Sequence, residues 1–172
     1  MKKITTPLII ILSAAALASC GKKPPPQLPP EPADTSSNSS GQDMGTVQTG
    51  PVKGSQEDFL ATVTSDRIFF DTDRFNVDTE DQMVLQSQAR WLVQNPSVRI
   101  VVEGHADERG TRDYNLALGE RRANSAKNYL VSLGVAPNRI RTVSYGKERP
   151  QATGSNEAAW AQNRRAVTVT VR

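Results

Sequence analysis

The chain has 172 residues, with 21 Lys and Arg, 18 Asp and Glu, one histidine and one cysteine. The single cysteine excludes an intramolecular disulfide. Two of the basic residues, Lys2 and Lys3, stand before an N-terminal apolar run, and the remaining 19 nearly balance the 18 acidic residues. The composition therefore does not indicate a nucleic-acid-binding protein.

The N-terminal segment has the layout of a secretory signal peptide. Two lysines precede an apolar run that extends from Leu8 to Ala18 and ends in small residues. This run is much shorter than the ~20 residues that a membrane-spanning helix needs. We therefore predict that residues 1–19 are a signal peptide and that the chain is exported.

Cys20 ends the sequence Leu-Ala-Ser-Cys. This tetrapeptide resembles the lipobox of bacterial lipoproteins, whose cysteine is acylated and becomes the first residue of the mature chain; a free thiol in a flexible segment is the alternative. The resemblance implies a diacylglyceryl group and a further N-acyl chain, whereas a single acyl chain binds membranes only marginally. Gly21 replaces the aspartate that usually signals inner-membrane retention. The resemblance therefore implies lipid anchoring in the outer membrane, at its periplasmic face.

Residues 20–58 are rich in Pro, Ser and Gly and contain few large apolar residues. Such a composition cannot bury a core. It predicts a lipidated N-terminus and a flexible, disordered tether, whose ~40 residues reach on the order of 100 Å when drawn out. A linker without a ligand of its own is favoured over a proline-rich ligand for another domain.

Residues 59–172 have the size of one small domain. Four runs rich in β-branched and apolar residues predict strands at 67–70, 98–102, 140–145 and 166–171. Helical patterns alternate with these strands. The sequence therefore predicts an α/β fold with helices packed on a small mixed four-stranded sheet.

Three helices are predicted between the strands. The first begins at Thr79, whose hydroxyl opens a capping box, and ends at Asn95 before a proline. The second extends from Asn115 as its N-cap to Leu133, which a glycine follows. The third is short and covers residues 156–163.

Helical geometry places Arg122 on the apolar face of the second helix. At about 100° per residue, it shares that face with Ala123, Ala126 and Leu130. A buried guanidinium needs partners, because an unpaired buried charge is strongly destabilising. Helical side chains lean towards the N-terminus of their helix. Arg122 is therefore expected to point at the preceding loop, which contains Asp107.

Two interpretations of Asp107 and Arg122 stay open on the residues alone. They either bond to each other, or they flank a cleft in which the carboxylate holds an ammonium group and the guanidinium holds a carboxylate. Backbone N–H groups near Gly110 and at the start of the helix would add donors for an anion. The second arrangement would recognise an amino acid.

Three motifs carry a resemblance to a known family. They are GHADERGTRDYNLALGERRANSAKNYL at 104–130, SYGKERP at 144–150 and NRRA at 163–166. In this order they resemble the OmpA-like peptidoglycan-binding domain, in the form found in peptidoglycan-associated lipoproteins. The resemblance covers residues 67–172 and implies an OmpA-like domain over 59–172.

The resemblance implies non-covalent binding to diaminopimelate in the uncrosslinked stem peptide of the cell wall, without cleavage. By position, Asp107 matches the residue that holds the ammonium group, and Arg122 the residue that holds the carboxylate. The first strand and loop match FFDTDRF at 69–75. The implied wall-binding residues are Asp71, Thr72, Asp73, Asp107, Thr111, Asn115, Leu118 and Arg122.

The resemblance also implies partners. Lipoproteins of this family bind the periplasmic β-propeller protein TolB, within the Tol system that draws the outer membrane inward during division. The expected partners are thus peptidoglycan, TolB and, through the lipid, the outer membrane. No cofactor, no metal and no nucleic acid is expected.

His105 is the only histidine of the chain. Without a second histidine, a cysteine in the domain or a recognised nucleophile motif, it favours a structural role, with a hydrogen bond to the neighbouring loop. Two alternatives remain. A wall-remodelling hydrolase would use His105 with Asp107 or Glu108, and a purely structural lipoprotein would bind no ligand.

Overall fold

The computed structural model of the chain describes residues 50–171. The predicted signal peptide, the predicted lipidation site Cys20 and the linker as far as residue 49 lie outside the described residues. Within the described part, none of the helices is both long and apolar enough to cross a membrane.

Helices and strands alternate along residues 50–171. The helices are α1 (Gln56–Thr62), α2 (Thr79–Gln94), α3 (Arg112–Ser132) and α4 (Glu157–Asn163). The strands are β1 (Arg67–Phe69), β2 (Arg99–His105), β3 (Ile140–Gly146) and β4 (Arg165–Val171). The four predicted strands and the three predicted helices are all present, and α1 has no counterpart in the prediction.

The strands form one mixed sheet in the order β1-β4-β2-β3. β4 pairs antiparallel with both β1 and β2, while β2 and β3 are parallel. Parallel neighbours need a crossover connection, and α3 supplies it between β2 and β3. α2 and α3 pack against the sheet and against each other. The predicted fold, with helices on a small mixed four-stranded sheet, is confirmed.

The folded part of the chain begins before residue 59, where the prediction placed its boundary. α1 starts at Gln56, and the Ser55 hydroxyl caps it by accepting a backbone hydrogen bond. Phe59 is fully buried, with its ring centre 5.0 Å from that of Trp91 on α2. The stretch has too few apolar residues to display a helical period, so its composition alone predicts linker.

Two helix starts differ from the prediction. α2 is capped by Asp78, whose carboxylate accepts a backbone hydrogen bond at 2.8 Å, and not by Thr79. α3 is capped by the Thr111 hydroxyl and begins a turn before the predicted cap, Asn115. Asp, Asn and Thr are all good caps, so the sequence alone does not choose between neighbouring candidates. The extra turn leaves Asn115 inside the helix and buried.

A pair of glycines lets α3 approach the sheet closely. A Cβ atom at Gly104 on β2 would clash with the backbone carbonyl of Gly119, and a Cβ atom at Gly119 would clash with the Ser144 hydroxyl on β3. Because glycine lacks this atom, α3 crosses directly over the ends of both strands. This crossing places Arg122, about one turn further along α3, beside the loop that follows β2.

Candidate functional site

A pocket of about 240 Å³ lies between the loop after β1, the loop after β2 and the N-terminal half of α3. Its lining residues are Thr72, Asp73, Asp107, Arg109, Gly110, Tyr114, Asn115, Leu118 and Arg122. Six of the eight predicted wall-binding residues are thus brought together. The other two, Asp71 and Thr111, do not line this pocket. That any of the eight binds the wall stays a prediction.

Arg122 is the largest fully buried side chain of the described residues. Its guanidinium donates to three backbone carbonyls, from Nε to Arg74 at 2.9 Å, from Nη1 to His105 at 2.8 Å and from Nη2 to Asp71 at 3.1 Å. These carbonyls belong to the loop after β1 and to the end of β2. Arg122 therefore fastens both sides of the pocket to α3, and Asp71 contributes to the site through its backbone.

The guanidinium of Arg122 keeps its charge and part of its donor capacity. Burial, with the nearby charge of Arg164, lowers the pKa of Arg122 to about 10, so the group is protonated at pH 7. A guanidinium has five N–H groups, and the three carbonyls use one on each nitrogen. One N–H group on Nη1 and one on Nη2 are therefore not used by these carbonyls.

Asp107 does not bond to Arg122, so the first of the two open interpretations is wrong. Its carboxylate instead accepts from Arg109, with Nη2 at 2.6 Å and Nε at 3.1 Å, and from Arg164 Nη1 at 3.5 Å. Burial by itself would raise the pKa of Asp107, but the hydrogen bonds from Arg109 and Arg164 hold it below its ordinary value. The carboxylate is therefore ionised at pH 7.

The loop after β1 forms the opposite wall of the pocket. Asp73 has a φ of 55°, in the left-handed region that few residues other than glycine adopt. Its carboxylate accepts a hydrogen bond from the Tyr114 hydroxyl at 3.2 Å, and the Thr72 hydroxyl accepts one from Arg109 Nη2 at 3.2 Å. Two side-chain hydrogen bonds thus cross the mouth of the pocket.

Two predicted residues act on the backbone. Asn115 donates from Nδ2 to the carbonyl of Arg109 at 2.6 Å, which ties the loop after β2 to α3. Thr111 is exposed and caps α3. Two lining residues, Arg109 and Tyr114, are missing from the prediction, and Gly110 was expected at the cleft only through the backbone N–H groups near it. The proximity of Arg109 to Asp107 in the chain was the available signal, but the direction of a loop side chain does not follow from spacing.

His105 is buried, with 2% of its surface exposed, and neither ring nitrogen has a hydrogen-bond partner among residues 50–171. The predicted hydrogen bond to the loop is therefore wrong. Burial and the charges of Arg165, Arg149 and Arg67 lower the pKa of His105 to about 3. The ring is thus neutral at pH 7, and its 3.8 Å approach to Glu103 is no ion pair. Its ring packs against that of Tyr145, with centres 5.5 Å apart.

The pocket presents both signs of charge to one small volume. Asp107 and Asp73 supply carboxylates, while Arg109 and Arg122 supply guanidinium groups. Among residues 50–171, no group of three or more His, Cys, Asp and Glu side chains is arranged to hold a metal ion. The charged side chains of the pocket can form charge-assisted hydrogen bonds to a ligand that carries groups of both signs.

Comparison with known proteins agrees with this geometry. The sequence profile of the OmpA family matches residues 69–164. The chain is 53% identical over 133 residues to the peptidoglycan-associated lipoprotein of Rhizobium meliloti, covering 77% of this chain and 74% of that protein. It is 56% identical over 116 residues to the peptidoglycan-associated lipoprotein of Agrobacterium fabrum, covering 67% and 65%. The chain belongs to the peptidoglycan-associated lipoproteins of the OmpA family.

A solved structure supports the same assignment. The crystal structure of the peptidoglycan-associated lipoprotein from Burkholderia pseudomallei matches with a TM-score of 0.61 and 43% sequence identity, covering 66% of this chain and 93% of that one. The OmpA-like fold predicted from the sequence is confirmed. An OmpA-like domain is a binding domain and not an enzyme, so the hydrolase alternative built on His105 is excluded.

The carbonyl contacts of Arg122 predict a large stability effect. In Arg122→Lys the charge remains, but one ammonium group cannot reproduce three bonds from a planar fork. Because each hydrogen bond from a charged donor contributes ~1.5 to 3 kcal/mol, we expect the free energy of unfolding in urea to fall by about 2 to 4 kcal/mol. The matched control is Arg121→Lys on the exposed face of α3, which should change it by less than ~0.5 kcal/mol. If both variants lost equally little free energy of unfolding, the three carbonyl contacts of Arg122 would not stabilise the domain as proposed.

The buried neutral ring of His105 predicts a pH-dependent stability. With a folded pKa of about 3 and an ordinary value of 6.5, the unfolded chain binds a proton between these pH values that the folded domain does not. The contribution of His105 to the free energy of unfolding is thus lost as the pH falls below 6.5, by up to ~1.4 kcal/mol per pH unit. Asp81 acts oppositely, because burial raises its pKa to about 6.

A His105→Phe variant isolates the contribution of the histidine. Asp81 is present in both proteins, so its effect cancels when the free energy of unfolding of the variant is subtracted from that of wild type. Urea unfolding of wild type and variant at pH 7 and pH 5 measures the difference between them. We expect wild type to lose ~2 kcal/mol relative to the variant over this interval. Parallel pH profiles would mean that the folded domain protonates His105 as readily as the unfolded chain.

Proposed function

We propose that the domain binds peptidoglycan non-covalently by holding the side chain of diaminopimelate in this pocket. The observation that carries the proposal is that Asp107 and Arg122 line one small pocket without bonding to each other. The two opposite charges therefore stay separate in the pocket, and Asp107 is paired with Arg109 and Arg164 instead. The relatives' name, peptidoglycan-associated lipoprotein, supplies the polymer.

The chemistry of diaminopimelate matches the two charges. In an uncrosslinked stem peptide its side chain ends in an ammonium and a carboxylate on the same carbon. The ammonium pairs with Asp107, and the carboxylate accepts from the two N–H groups that Arg122 has to spare. Crosslinking converts the ammonium into an amide, which removes the charge that Asp107 recognises.

The cellular role that we propose is a tether between the outer membrane and the wall. Cys20, in its lipobox-like context, would carry the lipid, and the Pro/Ser/Gly-rich segment would span the distance. We further propose that the chain works in the Tol system during cell division and that TolB is a protein partner. The names of its relatives as lipoproteins support an anchored protein.

Binding at Asp107 predicts a selective loss of affinity. Asp107→Asn keeps the shape of the side chain and removes its charge, so it should weaken binding of a diaminopimelate-containing stem peptide at least ~10-fold, because a charge-assisted hydrogen bond contributes ~1.5 to 3 kcal/mol. Isothermal titration calorimetry measures the affinity, and thermal melting checks the fold. The matched control is Asp113→Asn, at an exposed position on the first turn of α3 outside the pocket.

A second peptide tests Arg122 without mutating it, which matters because Arg122 also supports the fold. Replacing diaminopimelate by lysine deletes the carboxylate and keeps the ammonium, and should weaken wild-type binding by a similar factor. Unchanged affinity for both Asp107→Asn and the lysine peptide would remove this pocket as the wall site. Failure of the domain to bind sacculi at all would leave a purely structural lipoprotein.

The anchor makes a separate prediction. Cys20→Ser should abolish acylation, because the hydroxyl does not replace the thiol in lipid transfer, and should leave an unprocessed precursor. Labelling cells with a radioactive fatty acid, followed by membrane fractionation, measures the lipid and the location. Our anchoring proposal fails if the variant is still processed at residue 20 and still labelled.

A further inference from the structure

The acceptor positions of the Asp107 carboxylate are already occupied. Oδ1 accepts from the backbone N–H and from Nε of Arg109, both at 3.1 Å. Oδ2 accepts from Arg109 Nη2 at 2.6 Å and from Arg164 Nη1 at 3.5 Å. Since a carboxylate offers about four acceptor sites, a ligand ammonium can bond to Asp107 only if one of these donors leaves.

The side chain of Arg109 is the donor that is free to leave. It is 39% exposed, whereas the side chain of Arg164 is 7% exposed. Arg164 is also fixed by donating to the Phe70 carbonyl at 2.9 Å and to Glu157 at 2.7 Å. The backbone N–H of Arg109 belongs to the loop itself and can stay on Asp107 when the side chain moves.

The position of the Arg109 side chain explains how its departure would affect the pocket. Its Nη2 also donates to the Thr72 hydroxyl at 3.2 Å and so bridges the mouth of the pocket. Its guanidinium lies 4.2 Å from the ring centre of Trp160, on α4. A guanidinium that leaves Asp107 can keep this cation–π contact, while the bridge to the loop after β1 is broken.

We propose that Arg109 is an internal competitor of the ligand. Its guanidinium and the ligand's ammonium group compete for the Asp107 carboxylate. In the free domain its guanidinium occupies Asp107 and bridges the mouth of the pocket. A ligand enters by exchanging its own cation for that of Arg109, so the net pairing of Asp107 is preserved only when the ligand is positively charged. Arg109 thereby lowers the affinity for a cationic ligand, whereas a neutral ligand has no cation to exchange and leaves the pair between Arg109 and Asp107 intact. This inference rests on the proposed binding of an ammonium group at Asp107.

The test removes the competing charge and keeps the bulk of the side chain. Arg109→Met retains an unbranched stem and the backbone N–H to Asp107, and Arg109→Gln retains side-chain donors without a charge. Calorimetry with a diaminopimelate stem peptide should give about five- to tenfold tighter binding for Arg109→Met than for wild type, and a smaller gain for Arg109→Gln. Arg112→Met, whose exposed arginine pairs with Glu148 outside the pocket, should bind as wild type does.

A second peptide separates competition from a general change in the pocket. Acetylating the side-chain amine of diaminopimelate removes the cation, so the acetylated peptide should gain much less from Arg109→Met than the free peptide does. The competition proposal is wrong if a folded Arg109→Met domain binds the free peptide no more tightly than wild type does. It is also wrong if the substitution raises the affinity for both peptides equally.

The two levels of the argument fail in different ways. If neither wild type nor Arg109→Met binds the free peptide, or if Asp107→Asn binds it undiminished, the proposed function fails and the competitor with it. If wild type binds through Asp107 and Arg109→Met brings no gain, only the competitor is wrong. Binding that appears in Arg109→Met alone would support both.

Discussion

The buried guanidinium of Arg122 is the constraint around which the pocket is organised. A cation without an adjacent carboxylate is expensive to bury, and here three backbone carbonyls from two separate segments share the charge. The guanidinium on α3 and the carbonyls of the two segments therefore satisfy each other's hydrogen-bonding needs. The shape of the pocket and the stability of the domain both depend on the side chain of Arg122.

The charged side chains of the pocket differ in how firmly the surrounding structure holds them. Arg122 and Arg164 are buried and bonded to backbone carbonyls, so their positive charges are fixed before any ligand arrives. Asp107 lies between this fixed positive charge and the exposed side chain of Arg109. Fixed charges need little reorganisation on binding, while the exposed one can exchange with a ligand. The site thus combines fixed buried arginines, Arg122 and Arg164, with one exposed arginine, Arg109, that can move when a ligand binds.

The sequence predicts the features that depend on period and on rigid geometry. The four strands, the burial of Arg122 and its position near the loop of Asp107 all follow from helix and strand repeats. The actual partner of each charged group does not. Several carbonyls and two arginines lie within reach of Asp107 and Arg122, and the choice among them depends on loop conformations such as the left-handed backbone of Asp73. The cap at Asp78 and helix α1 escape prediction for a related reason, because tertiary contacts select among near-equal local options.

The way α1 is fastened to the sheet bears on how the domain would resist mechanical tension. The side-chain oxygen of Gln56 accepts from the backbone N–H of Thr170 at 2.7 Å and from its hydroxyl at 3.0 Å. Thr170 pairs with Ile100 at the start of β2, whereas the pocket lies past the far end of that strand. A pull between the N-terminal side of α1 and a ligand in the pocket would run along β2 and β4. Ladder hydrogen bonds lie across the strands, so such a load would shear many of them together instead of opening them one at a time.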